Sequence, residues 1–188
     1  MRLCGPQLLL VIVLGDALEY AYHRLSHTCP ALWRVHAIHH TSVRMNALKG
    51  ARHHVLYALG RRIAVWTPLL LLGAPAGLVY WQYIAVTITG LVSHSNVAFR
   101  ISALVHRIIV TPDFHRIHHA ADMALGNSNF GTVFAFWDLV FGTHSDPLRV
   151  GAPDAGIQDD QIPRRFMEEL NWPWTGVRHV QSTTAAAA

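Results

Sequence analysis

Eight of the chain's fourteen histidines fall in three short runs. They are HRLSH with His23 and His27, HAIHH with His36, His39 and His40, and HRIHH with His115, His118 and His119. No other feature constrains the fold as strongly. On a helix, the spacings i, i+3 and i+4 put side chains on one face, so each run presents its imidazoles together. A lone histidine is ordinarily a satisfied core residue. Eight neutral imidazoles in one compact site outnumber the acceptors a protein offers them, whereas metal ions take them directly. One octahedral ion accepts six ligands at most, so eight ligands imply two ions.

His94, in SHSN, is a candidate ninth ligand, and His54, in ARHHV, a further candidate. His53, His106, His144 and His179 lack cluster spacing and read as surface or packing residues. Both triads are introduced alike, PALWRVHAIHH at 30–40 and PDFHRIHHAAD at 112–122. Proline is favoured at the first helical position, and Thr111 before Pro112 is a good cap. Each triad is therefore expected in the opening turns of its own helix.

The first run lies in DALEYAYHRLSH, residues 16–27, directly after the apolar LCGPQLLLVIVL. At ~100° per residue, Asp16, Tyr20, His23 and His27 fall within ~60° of one another. They make a polar stripe on an otherwise apolar helix that extends from about Gly5 to His27, long enough for a hydrocarbon core of ~30 Å. A cleaved signal peptide is the rival for such an N-terminus, but no small-residue cleavage site follows. A second apolar block, residues 61–94, is broken by GAPAG at 73–77 and reads as a helical hairpin. Trp66, Trp81 and Tyr83 are its candidate interfacial anchors; a buried hairpin of a soluble protein is the alternative.

Hydrophobic residues make up 52% of the chain and charged ones 14%, against roughly a quarter charged in soluble domains. If the first helix spans and the hairpin returns to its starting side, Arg2 alone lies on the far side. The other Lys and Arg then share one face, cytoplasmic by the positive-inside rule. The basic residues are not interleaved with aromatics as in a nucleic-acid groove, so no nucleic-acid partner is expected. Cys4 and Cys29 form neither a CxxC pair nor a disulfide framework and read as packing residues.

From His144 the chain turns polar (THSDPLRVGAPDAGIQDDQIP), followed by an amphipathic RRFMEELNWPW and an STTAAAA tail expected to be disordered. No domain boundary is evident, so residues 1–188 read as one domain. The expected class is all-α, an integral membrane helical domain with a cytosolic histidine-rich cap. There is no HExxH motif and no Gly-rich phosphate loop. The Glu-x-x-His pairs of carboxylate di-iron bundles are also missing.

Together DALEYAYHRLSH, LWRVHAIHHTS, SHSNV, TPDFHRIHH and NSNFGTVFAFWDLVFGTH resemble the fatty acid hydroxylase / sterol desaturase superfamily of membrane oxygenases, over residues 16 to 143. The resemblance implies a di-iron site and an enzyme that uses O2 and external electrons to hydroxylate or desaturate lipids. It places His23, His27, His36, His39, His40, His115, His118 and His119 in the three histidine boxes and matches His94 to an additional family histidine. Relatives usually carry further membrane helices before the first box. The chain begins about fifteen residues ahead of it, which implies a truncated start or a scaffold completed by homo-oligomerisation.

An unactivated C–H bond is beyond side-chain acids and bases, and imidazole ligands suit iron. The expected cofactors are two irons, with zinc possible as isolated, and O2 as co-substrate. Asp16 and Tyr20 are expected behind the ligands, where a carboxylate fixes a histidine's tautomer; a helix–helix contact is the alternative for each. Asn129 and Asp138 are candidates for steadying the last cluster, against capping or turn roles. The expected partners are a lipid, the membrane and a separate electron-donor protein. The alternative is a non-catalytic zinc-binding or degenerate relative.

Overall fold

The computed structural model describes residues 5–99, 101–157, 162–163 and 165–175. Arg2, Cys4, His179 and the alanine tail lie outside them. Helix α1 (Gly5–Thr28) is followed after Cys29 by α2 (Pro30–His40), then a 3₁₀ turn, Ala47–Ala51. The hairpin is α3 (Val55–Leu71) and α4 (Ala76–Ser93). Short helices follow: α5 (Ala103–Ile108), α6 (Pro112–His118), α7 (Met123–Gly126), α8 (Phe136–Val140) and α9 (Pro147–Val150), with α10 (Phe166–Thr175) last. Among the described residues the only β pairings are isolated bridges, Ile109 with Phe134 and Ala120 with Ala155. The all-helical expectation holds.

Helices α1, α3 and α4 pack together. Their tip is closed by a core of Val11, Val65, Leu69, Leu78 and Val79. Gly73, at φ +84°, makes the turn between α3 and α4, a backbone conformation that side-chain-bearing residues rarely adopt. Leu9, Leu10, Leu14, Ile63, Leu71 and Ile88 face outward from these helices, whereas Asp16, Glu19 and Gln82 are buried inside. Of the described helices, Ala76–Ser93 is long and apolar enough to cross a membrane unaided. The hairpin's first helix begins at Val55, earlier than the apolar run suggests, so Arg61 lies within the helix instead of at its end.

The histidine-bearing elements gather at the other end. Helix α2 packs on α1 and α3, the 3₁₀ turn on α4, and α6 on α4. Pro30 opens α2. Pro112 opens α6, where the Thr111 hydroxyl accepts from Phe114 N–H, as the capping pattern requires. The amphipathic segment forms α10, which lies on α2, and its Glu169 pairs with Arg52.

Candidate metal centre

Nine buried histidines sort into two groups among the described residues. His23, His27, His36, His40 and His118 make one, and His39, His94, His115 and His119 the other. Within each group the candidate ligand nitrogens all lie within 4.8 Å of one another. α1 supplies two histidines to the first group, α2 two and α6 one. The second draws on α2, α6, the residue after α6 and the C-cap of α4. The i, i+3, i+4 pattern divides the triads: His36 and His40 turn to one group and His39 to the other. His118 is likewise separated from His115 and His119.

Backbone carbonyls set the tautomers. Nδ1 of His39 lies 3.1 Å from the Arg52 carbonyl oxygen, and Nδ1 of His94 2.7 Å from that of Gly90. A carbonyl only accepts, so each Nδ1 carries the proton and each Nε2 a bare lone pair. Those two Nε2 atoms are 3.1 Å apart, and neither has a proton to place between them. Nε2 of His94 is also 3.0 Å from Nε2 of His115 and 3.1 Å from that of His119. Converging lone pairs repel unless a cation sits among them. Two metal–nitrogen bonds of about 2.0–2.1 Å at a cis angle separate their nitrogens by about 3 Å, so the donor set fits a metal ion.

The first group is anchored differently. Nδ1 of His23 donates to Phe130 O at 2.8 Å and Nδ1 of His118 to Ser128 O at 2.9 Å. Nδ1 of His27 lies 3.1 Å from Asn127 Oδ1. One loop, 127–130, thus aims three of the five histidines. Nε2 of His118 is buried without a hydrogen-bond partner in the protein, as expected of an atom that faces an ion. Burial, then neighbouring imidazoles, holds His36, His39, His40, His115, His118 and His119 well below the ordinary 6.5. Burial lowers His94 to about 4. All are therefore neutral at pH 7 and able to ligate.

Asp16 and Tyr20 hydrogen-bond to the chain that follows the 127–130 loop. Instead of an imidazole N–H, the Asp16 carboxylate accepts the backbone N–H groups of Val133 and Phe134, at 2.8 and 2.9 Å. The Tyr20 hydroxyl meets Thr143 Oγ1 at 2.8 Å, and Thr143 donates to Asp138. Asp138 accepts the N–H groups of Phe130 and Gly131. Asn129, at φ +57°, donates to Phe114 O and Ser145 O and accepts from Ser145 N–H. These side chains fix the loop, and the loop fixes the histidines.

His54 has a different task. Its Nδ1 accepts from Leu56 N–H, capping α3, and its Nε2 donates to Leu170 O. Both nitrogens are engaged away from the metal groups. His53 stacks on His39 with ring centroids 4.3 Å apart, and His106 is buried with Nδ1 2.8 Å from Thr111 Oγ1. The carbonyl anchors have no sequence signal, since any residue supplies one.

A cavity of about 270 Å3 opens beside both groups, with His23, His36, His39, His94 and His115 in its wall. Tyr57, Tyr83, Val86 and Leu91 line the remainder together with Glu19, Arg61 and Arg62. No spacing or motif in the sequence points to these last three as neighbours of the histidines.

The fatty acid hydroxylase family profile matches residues 8–143. The chain belongs to that family. It is 34% identical over 169 residues to ornithine lipid hydroxylase OlsE of Rhizobium tropici, covering 90% of this chain and 50% of that protein. It is 29% identical to fatty acid hydroxylase vlmA of a Lecanicillium species, over 87% of this chain and 47% of the relative. Human alkylglycerol monooxygenase is 30% identical over 66% of this chain and 27% of its own length. The chain thus spans half or less of these relatives. No solved structure matches it significantly.

Proposed function

We propose that the chain forms the catalytic core of a membrane-embedded di-iron oxygenase that hydroxylates or desaturates a lipid. The observation that carries this reading is the division of nine buried, neutral imidazoles into two convergent groups. The family and its relatives, described as lipid and fatty acid hydroxylases and monooxygenases, support it. An all-imidazole set suits iron and also zinc. His23, His27, His36, His40 and His118 would hold one ion and His39, His94, His115 and His119 the other.

Bound iron would supply the reduction of O2, with one oxygen atom ending in the product of hydroxylation and the other in water, at the cost of two external electrons and two protons. The protein's own groups orient the ligands through the 127–130 loop, the Arg52 carbonyl and the Gly90 carbonyl. The cavity offers the substrate a walled position beside both groups. These 188 residues carry no flavin, haem or iron–sulfur motif, so the electrons would be delivered from outside them. The outward Leu and Ile side chains of α1, α3 and α4 would face acyl chains, as exposed apolar surface at a membrane contact does. The histidine end would lie at the cytoplasmic side.

The test is elemental analysis of detergent-purified protein, grown with iron and handled anaerobically, followed by O2 uptake with a reductase and lipid. About two irons per chain and lipid-dependent O2 uptake are expected; His118→Ala should lose the ion of its own group and the uptake with it. Two zincs with no O2 consumption in the iron-reconstituted protein would instead support a non-catalytic metal protein. Full retention of metal and turnover in His118→Ala would overturn the assignment.

A further inference from the structure

The cavity holds a positive charge that the metal groups do not account for. Its charged lining residues are Glu19, Arg61 and Arg62. Arg61 is committed to Glu19 in a buried ion pair. Arg62 has no carboxylate partner among the described residues. Its guanidinium carbon instead sits 4.1 Å from the centroid of the Tyr83 ring and 5.3 Å from that of Trp66.

That arrangement is informative. Stacking on aromatic rings engages the face of a guanidinium; one hydrogen bond goes to the Tyr83 side chain, and the remaining edge N–H groups keep a fork that matches a carboxylate or phosphate. Arg62 is partly buried, whereas Leu59, three positions earlier, and Ile63, its neighbour, are more than half exposed on the outer surface. A charged side chain held partly buried within a membrane-facing helix is costly unless it has a partner or a function. With Arg61 and Glu19 cancelling and the wall histidines neutral, Arg62 leaves the cavity with a net positive charge.

Size narrows the occupant further. About 270 Å3 is below the range that encloses a drug-sized molecule, so the cavity takes one end of a lipid and leaves the chain in the bilayer. We propose that Arg62 is a specificity residue that binds an anionic head group, carboxylate or phosphate, of the amphiphile presented to the metal centre. This rests on the lipid-oxygenase reading and names the class of substrate that it takes.

The test is equilibrium dialysis of the full chain in phosphatidylcholine nanodiscs against dodecanoate, dodecyl phosphate and dodecanol, with binding to empty discs subtracted. Wild type is expected to bind at least one anionic probe about tenfold or more tightly than dodecanol. Arg62→Gln removes that preference, Arg62→Lys keeps part of it, and metal content is unchanged in both. Tyr83→Leu, which removes the ring under the guanidinium, weakens the preference and serves where Arg62→Gln folds poorly. The stronger of the two anionic probes identifies the head group.

No preference in wild type, or an undiminished preference in Arg62→Gln, overturns the proposal. Metal counts on the same samples keep the two readings apart. An Arg62-dependent preference in a chain that binds no metal would sustain the role of Arg62 and refute the oxygenase. Two irons with no anion preference would do the reverse.

Discussion

The two histidine groups are built on opposite plans. The group of five is aimed chiefly by one loop, whose Asn127, Ser128 and Phe130 oxygens meet three imidazoles. That loop is in turn tied down by Asp16, Asp138 and Asn129. The group of four takes its two tautomer-setting carbonyls from separate places, Arg52 after the 3₁₀ turn and Gly90 inside α4. One group depends on a polar network that a single substitution can loosen. The other depends on the packing of helices that any backbone would satisfy. Damage to the supporting residues should therefore separate the two sites.

The largest effect is expected from the ligands themselves. His27→Ala and His94→Ala should each reduce bound metal from about two per chain to about one and abolish turnover. Spectroscopy of the remaining ion should show a different environment in each variant. Loss of both ions from either variant would mean that the groups are one cooperative site.

Acidification comes next. The buried imidazoles have folded-state pKa values far below the ordinary 6.5. As pH falls through 6.5 the unfolded chain therefore binds more protons than the folded one, and stability drops by up to ~1.4 kcal/mol per pH unit for each such histidine. Asp138 acts oppositely. Burial raises it to about 6, so the folded state takes that proton first and gains stability between about pH 6 and 3.8. One carboxylate cannot offset six imidazoles. Thermal unfolding of the metal-free protein should shift down between pH 7.5 and 5.5, by at least about 5 °C.

Asp138→Ala removes the acceptor of two buried backbone N–H groups and of the Thr143 hydroxyl. It should cost about 2–4 kcal/mol of stability by chemical denaturation and weaken the five-histidine site first. The smallest effects sharpen the contrast. Asn127→Ala should weaken metal at the group of five by about 10–100-fold and leave the group of four intact. Gly50→Ala should do the converse, because its Cβ would lie 2.8 Å from Gly90 O and 3.1 Å from His94 Nδ1. Competition with a chelator measures both.

The clustering of the histidines was legible because metal chemistry needs a residue type at a spacing, and both are visible in one dimension. The nine histidines expected from the runs and from SHSN are the nine that converge. The long first helix and the broken hairpin were legible for the same reason, since apolar periodicity and GAPAG are local. What supports the ligands was not legible. Phe130 meets His23 through a main-chain oxygen, so its side chain carries no trace of that role. Asp16 reads in the sequence as a carboxylate for an imidazole N–H, but its partners are backbone N–H groups 117 and 118 residues away. The pairing of Arg61 with Glu19 spans 42 residues and leaves Arg62, its neighbour, without a carboxylate among the described residues.

The contact between His23 and Phe130 closes a loop of 107 residues, and this has a bearing on biosynthesis. A nascent chain exposes His23, His27, His36 and His40 long before His118 and the 127–130 carbonyls have left the ribosome. During that interval four imidazoles wait unaimed in a segment that is already entering its final surroundings. If the five-histidine group holds an ion, its loading would follow translation of most of the chain, and the metal available at that moment would decide which ion the finished protein keeps.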